Sequence, residues 1–169
     1  MKKSAFFTIC LILSINTLSA QIKFGHVNTS EIIQSMPDYT KAQEDVNKLQ
    51  EQYEADLKNM QEELQKKEIE YNKLPADTPD NIKQKKEKEL LDMQERLNQT
   101  YQDSQQALQK AATEKMQAIS NRVLDAVNQV GKEQGYIYIV DTKNKSILYY
   151  STVLSTDVTV LVKTKLGLK

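Results

Sequence analysis

The sequence predicts an α+β fold: a long antiparallel coiled-coil helical hairpin projecting from a small β-rich oligomerisation body. Three observations predict it. No glycine occurs between Gly25 and Gly131, and Glu, Gln, Lys, Ala and Leu dominate that stretch, the composition of long helices. Apolar residues recur there at steps of three and four on both sides of one proline-bounded break, Pro75-Ala76-Asp77-Thr78-Pro79. Short β-branched and aromatic runs flank the helical stretch on either side.

The first twenty residues read as an address. Lys2 and Lys3 precede an apolar run of 11 residues, Ala5 to Ile15, and Ser19-Ala20 offers small residues for a cut near Ala20. That is the layout of a secretory signal peptide, and the run is short of the ~20 residues a membrane span needs. Cys10 leaves with it, so the mature chain of 149 residues from Gln21 has no thiol for a disulfide or a thiolate ligand. Without Lys2 and Lys3 the mature chain has 21 cationic and 23 anionic side chains, a net −2 that does not point to nucleic acid. No other apolar stretch approaches a membrane span.

The elements follow in order. Ile22 to Val27 reads as a strand. Asn28, with Glu31 three residues on, resembles a capping box and starts a short helix, Thr29–Ser35. Pro37 suits the first turn of the next helix, whose seam runs Tyr39, Ala42, Val46, Leu49, Tyr53, Leu57, Met60, Leu64, Tyr71 and Leu74, with Lys67 in one seam position. From Pro37 to Leu74 this arm spans about 57 Å. The break at 75–79 forms the tip, with Thr78 expected as cap and Pro79 in the first turn of the return arm. The return seam reads Ile82, Leu90, Met93, Leu97, Tyr101, Leu108, Ala111 or Ala112, Met116, Ile119, Val123, Val127 and Val130. Only Tyr101 is apolar between Asn98 and Gln106, which predicts weak packing and bending there. The return arm, to Gln134, is longer by roughly 25 Å, so its base is expected to run beside the Thr29–Ser35 helix. Gly135 is expected to cap it in the left-handed conformation. Tyr136–Val140 reads as a strand, Asp141–Lys145 as a turn, and Ser146–Ser151 as a second strand completing a β-hairpin. Ser155 or Thr156 would then cap a last helix that Gly167 ends.

The expected division is a signal peptide at 1–20, a body made of 21–36 and 135–169, and a hairpin at 37–134. The body has 51 residues, below the size at which one core is usually self-sufficient, and its strands have open edges. Association of several copies answers both problems. Phe24, Val27, Ile137, Ile139, Val140, Ile147 and Tyr149 are the candidates for that contact.

No constellation for an enzyme is visible. His26 is the sole histidine and reads as a strand residue, not a metal ligand. Glu54–Lys58 and Glu63–Lys67 are spaced as solvated helix support. Gly131-Lys132 lacks the strand and glycine spacing of a phosphate loop. No cofactor and no metal site is expected.

The order of features resembles the Skp (OmpH-like) family. FGHVNTSEIIQSMP resembles its opening strand and helix, GYIYIVD its strand after the return helix, and LYYSTVLSTDVT its closing segment with Asp157 and Thr159 at a helix start. The resemblance covers the whole mature chain. It implies a periplasmic homotrimer whose three helical arms surround a cavity and hold unfolded outer-membrane β-barrel proteins without ATP. Well-known members are basic, and lipopolysaccharide contacts are attributed to clustered cations. This mature chain is slightly acidic, which leaves lipopolysaccharide contact open.

Such a holder needs many adaptable contacts, which Met and Tyr supply. Tyr53, Leu57, Met60, Leu64, Tyr71, Leu74, Ile82, Leu90, Met93, Leu97 and Tyr101 are the candidate client-binding residues. The plainer role for this stripe is to hold the two arms together. Tyr71, Leu74 and Ile82, near the tip, have the fewest neighbours to bury them. The alternative from another class is a structural coiled-coil spacer or oligomerisation stalk with no client; a dedicated adaptor for one folded partner is a third.

Overall fold

The computed structural model describes residues 22–143 and 147–168. The expected signal peptide and residues Asn144, Lys145 and Ser146 of the expected turn and strand lie outside them. The element order is β1 (Lys23–Val27), α1 (Thr29–Ser35), α2 (Pro37–Asn72), α3 (Asp80–Gln134), β2 (Tyr136–Asp141), β3 (Ser155–Asp157) and α4 (Thr159–Lys165). The chain is α+β, with a helical hairpin of α2 and α3 rising from a three-stranded sheet.

Local chemistry sets most boundaries. The Asn28 side chain accepts a hydrogen bond from the Glu31 backbone N–H at 3.1 Å, capping α1. Gly135 and Gly167 take φ of 71° and 74°, the left-handed region that lets a helix stop without a Cβ clash. At the tip the structure differs from the expected cap. The Thr78 hydroxyl donates to the Pro75 carbonyl at 2.7 Å, closing the tip turn, and α3 starts at Asp80 with Pro79 as its cap residue. The helices have 36 and 55 residues, about 54 and 82 Å. The extra length of α3 lies at the base, where its last turns pack beside α1.

The sheet order is β2-β1-β3, and both pairings are parallel. Parallel neighbours need a long crossover; between β1 and β2 that crossover is α1 and the whole helical hairpin. Each end of the hairpin is therefore anchored in the same sheet. Gly25 sits where a Cβ would come within 3.1 Å of Ile139, so glycine permits the close β1–β2 approach.

The expected β-hairpin does not form. Ile147 to Tyr150 lie outside the strands, and the third strand is Ser155–Asp157, which pairs with β1 rather than β2. Strand propensity reflects fit to a half-buried pleated surface. A single copy offers Leu148 and Tyr149 no such surface, and they are 96% and 84% exposed. Ser155 and Thr156, expected to cap the last helix, are strand residues. The cap residue is Val158, without a side-chain cap bond; Asp157, the last residue of β3, accepts from the Thr159 N–H at 2.8 Å and so ties the strand to the start of the helix.

The C-terminal ends of the three strands meet in one polar knot. The Thr29 hydroxyl donates to Asp141 at 2.6 Å, the Thr142 N–H to the Val27 carbonyl at 2.9 Å, and the Asn28 N–H to the Thr159 hydroxyl oxygen at 3.1 Å. Hydrogen bonds from the Thr159 hydroxyl and then its backbone hold the Asp157 carboxyl below its usual range. The core lies just above this knot. Val27, Ile32, Met36, Ile119, Val123, Ala126, Val130, Val158 and Val162 form one buried cluster. Far out on the arms, Leu64 is the one buried apolar residue among the described residues.

Candidate functional site

The arms and the outer face of the sheet are the surfaces left to build a function. Between the arms the seam is thin. Leu64 is buried; Tyr53, Leu57, Met60, Tyr71, Leu74, Leu90, Met93 and Leu97 are half-buried; Ile82 and Tyr101 are exposed. Most of the candidate stripe therefore lies against the facing arm. The return seam runs through positions that apolar pattern alone did not mark. Thr100, Ser104 and Lys115 face inward, where Tyr101 and Met116 were expected. Ser104 is only 3% exposed and donates to the Thr100 carbonyl at 2.6 Å. The stretch expected to pack weakly is closed by a small hydroxyl residue, satisfied by its own helix.

Polar links join the arms across the seam. Lys115 pairs with Asp45 at 2.7 Å and Arg122 with Asp38, both toward the base, and the Tyr71 hydroxyl donates to Glu87 near the tip. The Lys115 hydrogen bond holds Asp45 below its usual range, and the Glu87 bond raises Tyr71. Within single helices the ion pairs are Lys58–Glu62 and Lys110–Glu114, at 4.0 and 3.9 Å, rather than the two expected from spacing.

Clefts open on the two sides of the hairpin. Glu63, Lys67, Glu89, Asp92 and Arg96, with Met60 and Met93 between, line one of about 340 Å³. Tyr39, Gln43, Asn47, Ala112 and Met116 line part of another of about 310 Å³. Leu91 (71% exposed), Tyr101 (55%), Met116 and Leu124 (58%) point away from the seam. Leu91 and Leu124 escaped the sequence reading because each adjoins a true seam residue, Leu90 and Val123; Met116 was read as a seam residue, a place that Lys115 takes instead.

On the body, Phe24, Ile137, Ile147 and Tyr149 are exposed, Ile139 and Val140 half-buried, and Val27 is buried in the chain's own core. The Phe24 and Tyr138 rings stack on the outer sheet face, 6.4 Å between centroids. His26 shares that face. Its Nδ1 lies 2.9 Å from the Ser155 hydroxyl and its ring 4.8 Å from that of Tyr150. The Asp157 carboxylate that could complete a relay is occupied by Thr159. Among the described residues there is no group of three metal-ligating side chains, and no helix is long and apolar enough to cross a membrane.

The geometry defines a class: long paired arms, anchored at one end and nearly coreless at the other, on a body with apolar residues left in the open. Comparison with known proteins narrows it. The family model described as outer membrane protein (OmpH-like) matches residues 23–166, and the chain belongs to that family. A curated relative, the chaperone protein Skp of Vibrio cholerae serotype O1, is 28% identical over 143 residues, covering 76% of each chain.

Proposed function

We propose that this chain is an exported, non-enzymatic holding chaperone of the periplasm. It binds unfolded outer-membrane β-barrel proteins without ATP and keeps them from aggregating. The observation that carries the reading is the contrast between a fixed base and arms that bury one apolar residue in their outer reach. A rigid stalk needs a filled seam. A holder needs surface that can be re-covered by different sequences, and half-buried Tyr, Met and Leu on thinly packed helices provide it. Similarity to a protein named a chaperone supports the same reading.

The working form is an oligomer, three copies by the family resemblance, joined through the body. Leu148, Val153 and Leu154 are strongly exposed, and the outer strands of the sheet, β2 and β3, have open edges, both liabilities for a lone copy. Phe24, Ile137, Ile139, Val140, Ile147 and Tyr149 are assigned to this contact; Val27 supports it from within. Tyr71, Leu74 and Ile82 at the tip, with Tyr53, Leu57, Met60, Leu90, Met93, Leu97 and Tyr101 along the arms, are assigned to clients.

The test dilutes a urea-unfolded outer-membrane barrel protein into nucleotide-free buffer with and without residues 21–169. Light scattering is followed, and the mass of the complex is measured. Suppressed scattering that saturates at one client per oligomer supports holding. Unchanged scattering across several clients, from a folded oligomer, moves the assignment to a structural spacer.

A further inference from the structure

The two broad sides of the hairpin differ in charge. In α3 the seam positions 90, 93, 97, 100, 104, 107, 111, 115, 119, 123 and 126 are all buried or half-buried. One residue further on, about 100° around the helix, lie 91, 94, 98, 101, 105, 108, 112, 116, 120, 124 and 127. None of these 11 is charged. One residue before the seam, on the opposite flank, 8 of the 11 positions from Glu89 to Asp125 are charged. In α2 the flank one past the seam, from Thr40 to Asn72, has three charges in ten positions, and the flank one before it, from Asp38 to Glu70, has eight in ten. Antiparallel helices that face each other bring their like flanks to the same side. The clefts agree: Gln43 and Asn47 share one with Ala112 and Met116, whereas Glu63 shares the other with Glu89, Asp92 and Arg96. The Arg122–Asp38 pair lies on the charged side.

We propose that the charge-poor side is the client-holding surface, and that it holds extended polypeptide chiefly through side-chain amides and isolated apolar contacts rather than through cations. This rests on the holding reading above and deepens it. A helix flank bathed in water on all occasions has no reason to lose its charges, and the flank opposite kept them. The exposed Leu91, Tyr101, Met116 and Leu124 all fall in the uncharged series. Between them Gln94, Asn98 and Gln105 each offer donors and an acceptor, which suits the unpaired N–H and C=O groups of a chain with no secondary structure. The occupant is unfolded polypeptide rather than a second copy. Stable subunit contacts concentrate their apolar core, and here four exposed apolar side chains are strung along about 50 Å of helix with amides between. At its base the surface continues into a groove of about 320 Å³ of mixed lining, in which Ile33, Leu124, Val127 and Ile139 sit beside the polar Gln117 and Asp141.

The test places a photocrosslinking residue at Asn98 or at Gln99, and at Gln105 or at Gln106, adjacent pairs that sit on opposite flanks. Capture of an unfolded barrel protein from 98 and 105 but not from 99 and 106 is expected. In parallel, Tyr101→Glu with Met116→Glu is compared with Gln99→Glu with Gln106→Glu in the full oligomer, with circular dichroism as the control for folding. The first pair weakens client binding about tenfold and the second less than twofold. Wild-type affinity changes by less than about threefold between low and about 0.5 M salt, because few charges on this side are there to be screened. Equal capture from both flanks, or a steep loss of affinity with salt, overturns the proposal while leaving holding intact. Loss of the oligomer in the Tyr101→Glu, Met116→Glu protein makes this side a subunit interface and also overturns it. A wild-type protein that holds no client removes both readings together.

Discussion

The base and the outer reach of the hairpin are made of the same two helices, with the same Glu, Lys and Gln surface, yet they are held by different means. At the base, Ile119, Val123, Ala126 and Val130 of α3 are sealed under α1, α4 and the sheet. Further out, Leu64 and the small Ser104 are the buried contacts, aided by Tyr71–Glu87. Helical propensity alone scarcely stabilises a helix in water; packing does. The same secondary structure can therefore be rigid at one end and compliant at the other, and the position of the last well-filled core layer decides where one becomes the other.

Removing core from the base breaks that contrast most severely. Ile32→Ala, at a fully buried site, costs about 3 kcal/mol and lowers the denaturation midpoint of body and arms together. Leu64→Ala costs less, about 2 kcal/mol, because part of its surroundings can collapse, and it acts locally. Hydrogen exchange quickens in α2 and α3 near residue 64 and stays slow at Ile119–Val130. Arg122→Ala removes an exposed cross-arm pair and costs about 0.5 kcal/mol, less in high salt. Asp157→Asn sharpens the account of the knot. The native carboxyl titrates below its ordinary value of 3.8, so it contributes stability that is fully present above that value and is lost as pH falls through the native one. The variant is less stable than wild type at neutral pH, and the gap in melting temperature narrows below about pH 4.

What the sequence made legible was local. Asn28 with Glu31, Pro37, Gly135 and Gly167 mark helix ends through contacts a few residues long, and the three-four periodicity marks the arms. The sheet was less legible because its partners are more than 100 residues apart in the chain. Tyr136–Val140 and Ile147–Tyr150 look like a hairpin from propensity and proximity. The strand that pairs with β1 is instead Ser155–Asp157, fixed by the hydrogen bonds of Asp157 and Thr159 that no periodicity reveals. The arm surface was misread in one register. An apolar pattern prefers Tyr101 and Met116, whereas close helix approach selects Ser104 and the stem of Lys115. Correcting that single step separates the seam from its flanks and exposes the asymmetry of charge.

Hydrogen exchange along both arms, free and with an unfolded barrel protein bound, tests the division of labour most directly. Slow exchange at Ile119–Val130 in both states, with fast exchange at 53–71 and 90–108 that slows when client is present, is the predicted result. Uniformly slow exchange along both arms that a client leaves unchanged would contradict it, and would describe a stiff spacer instead.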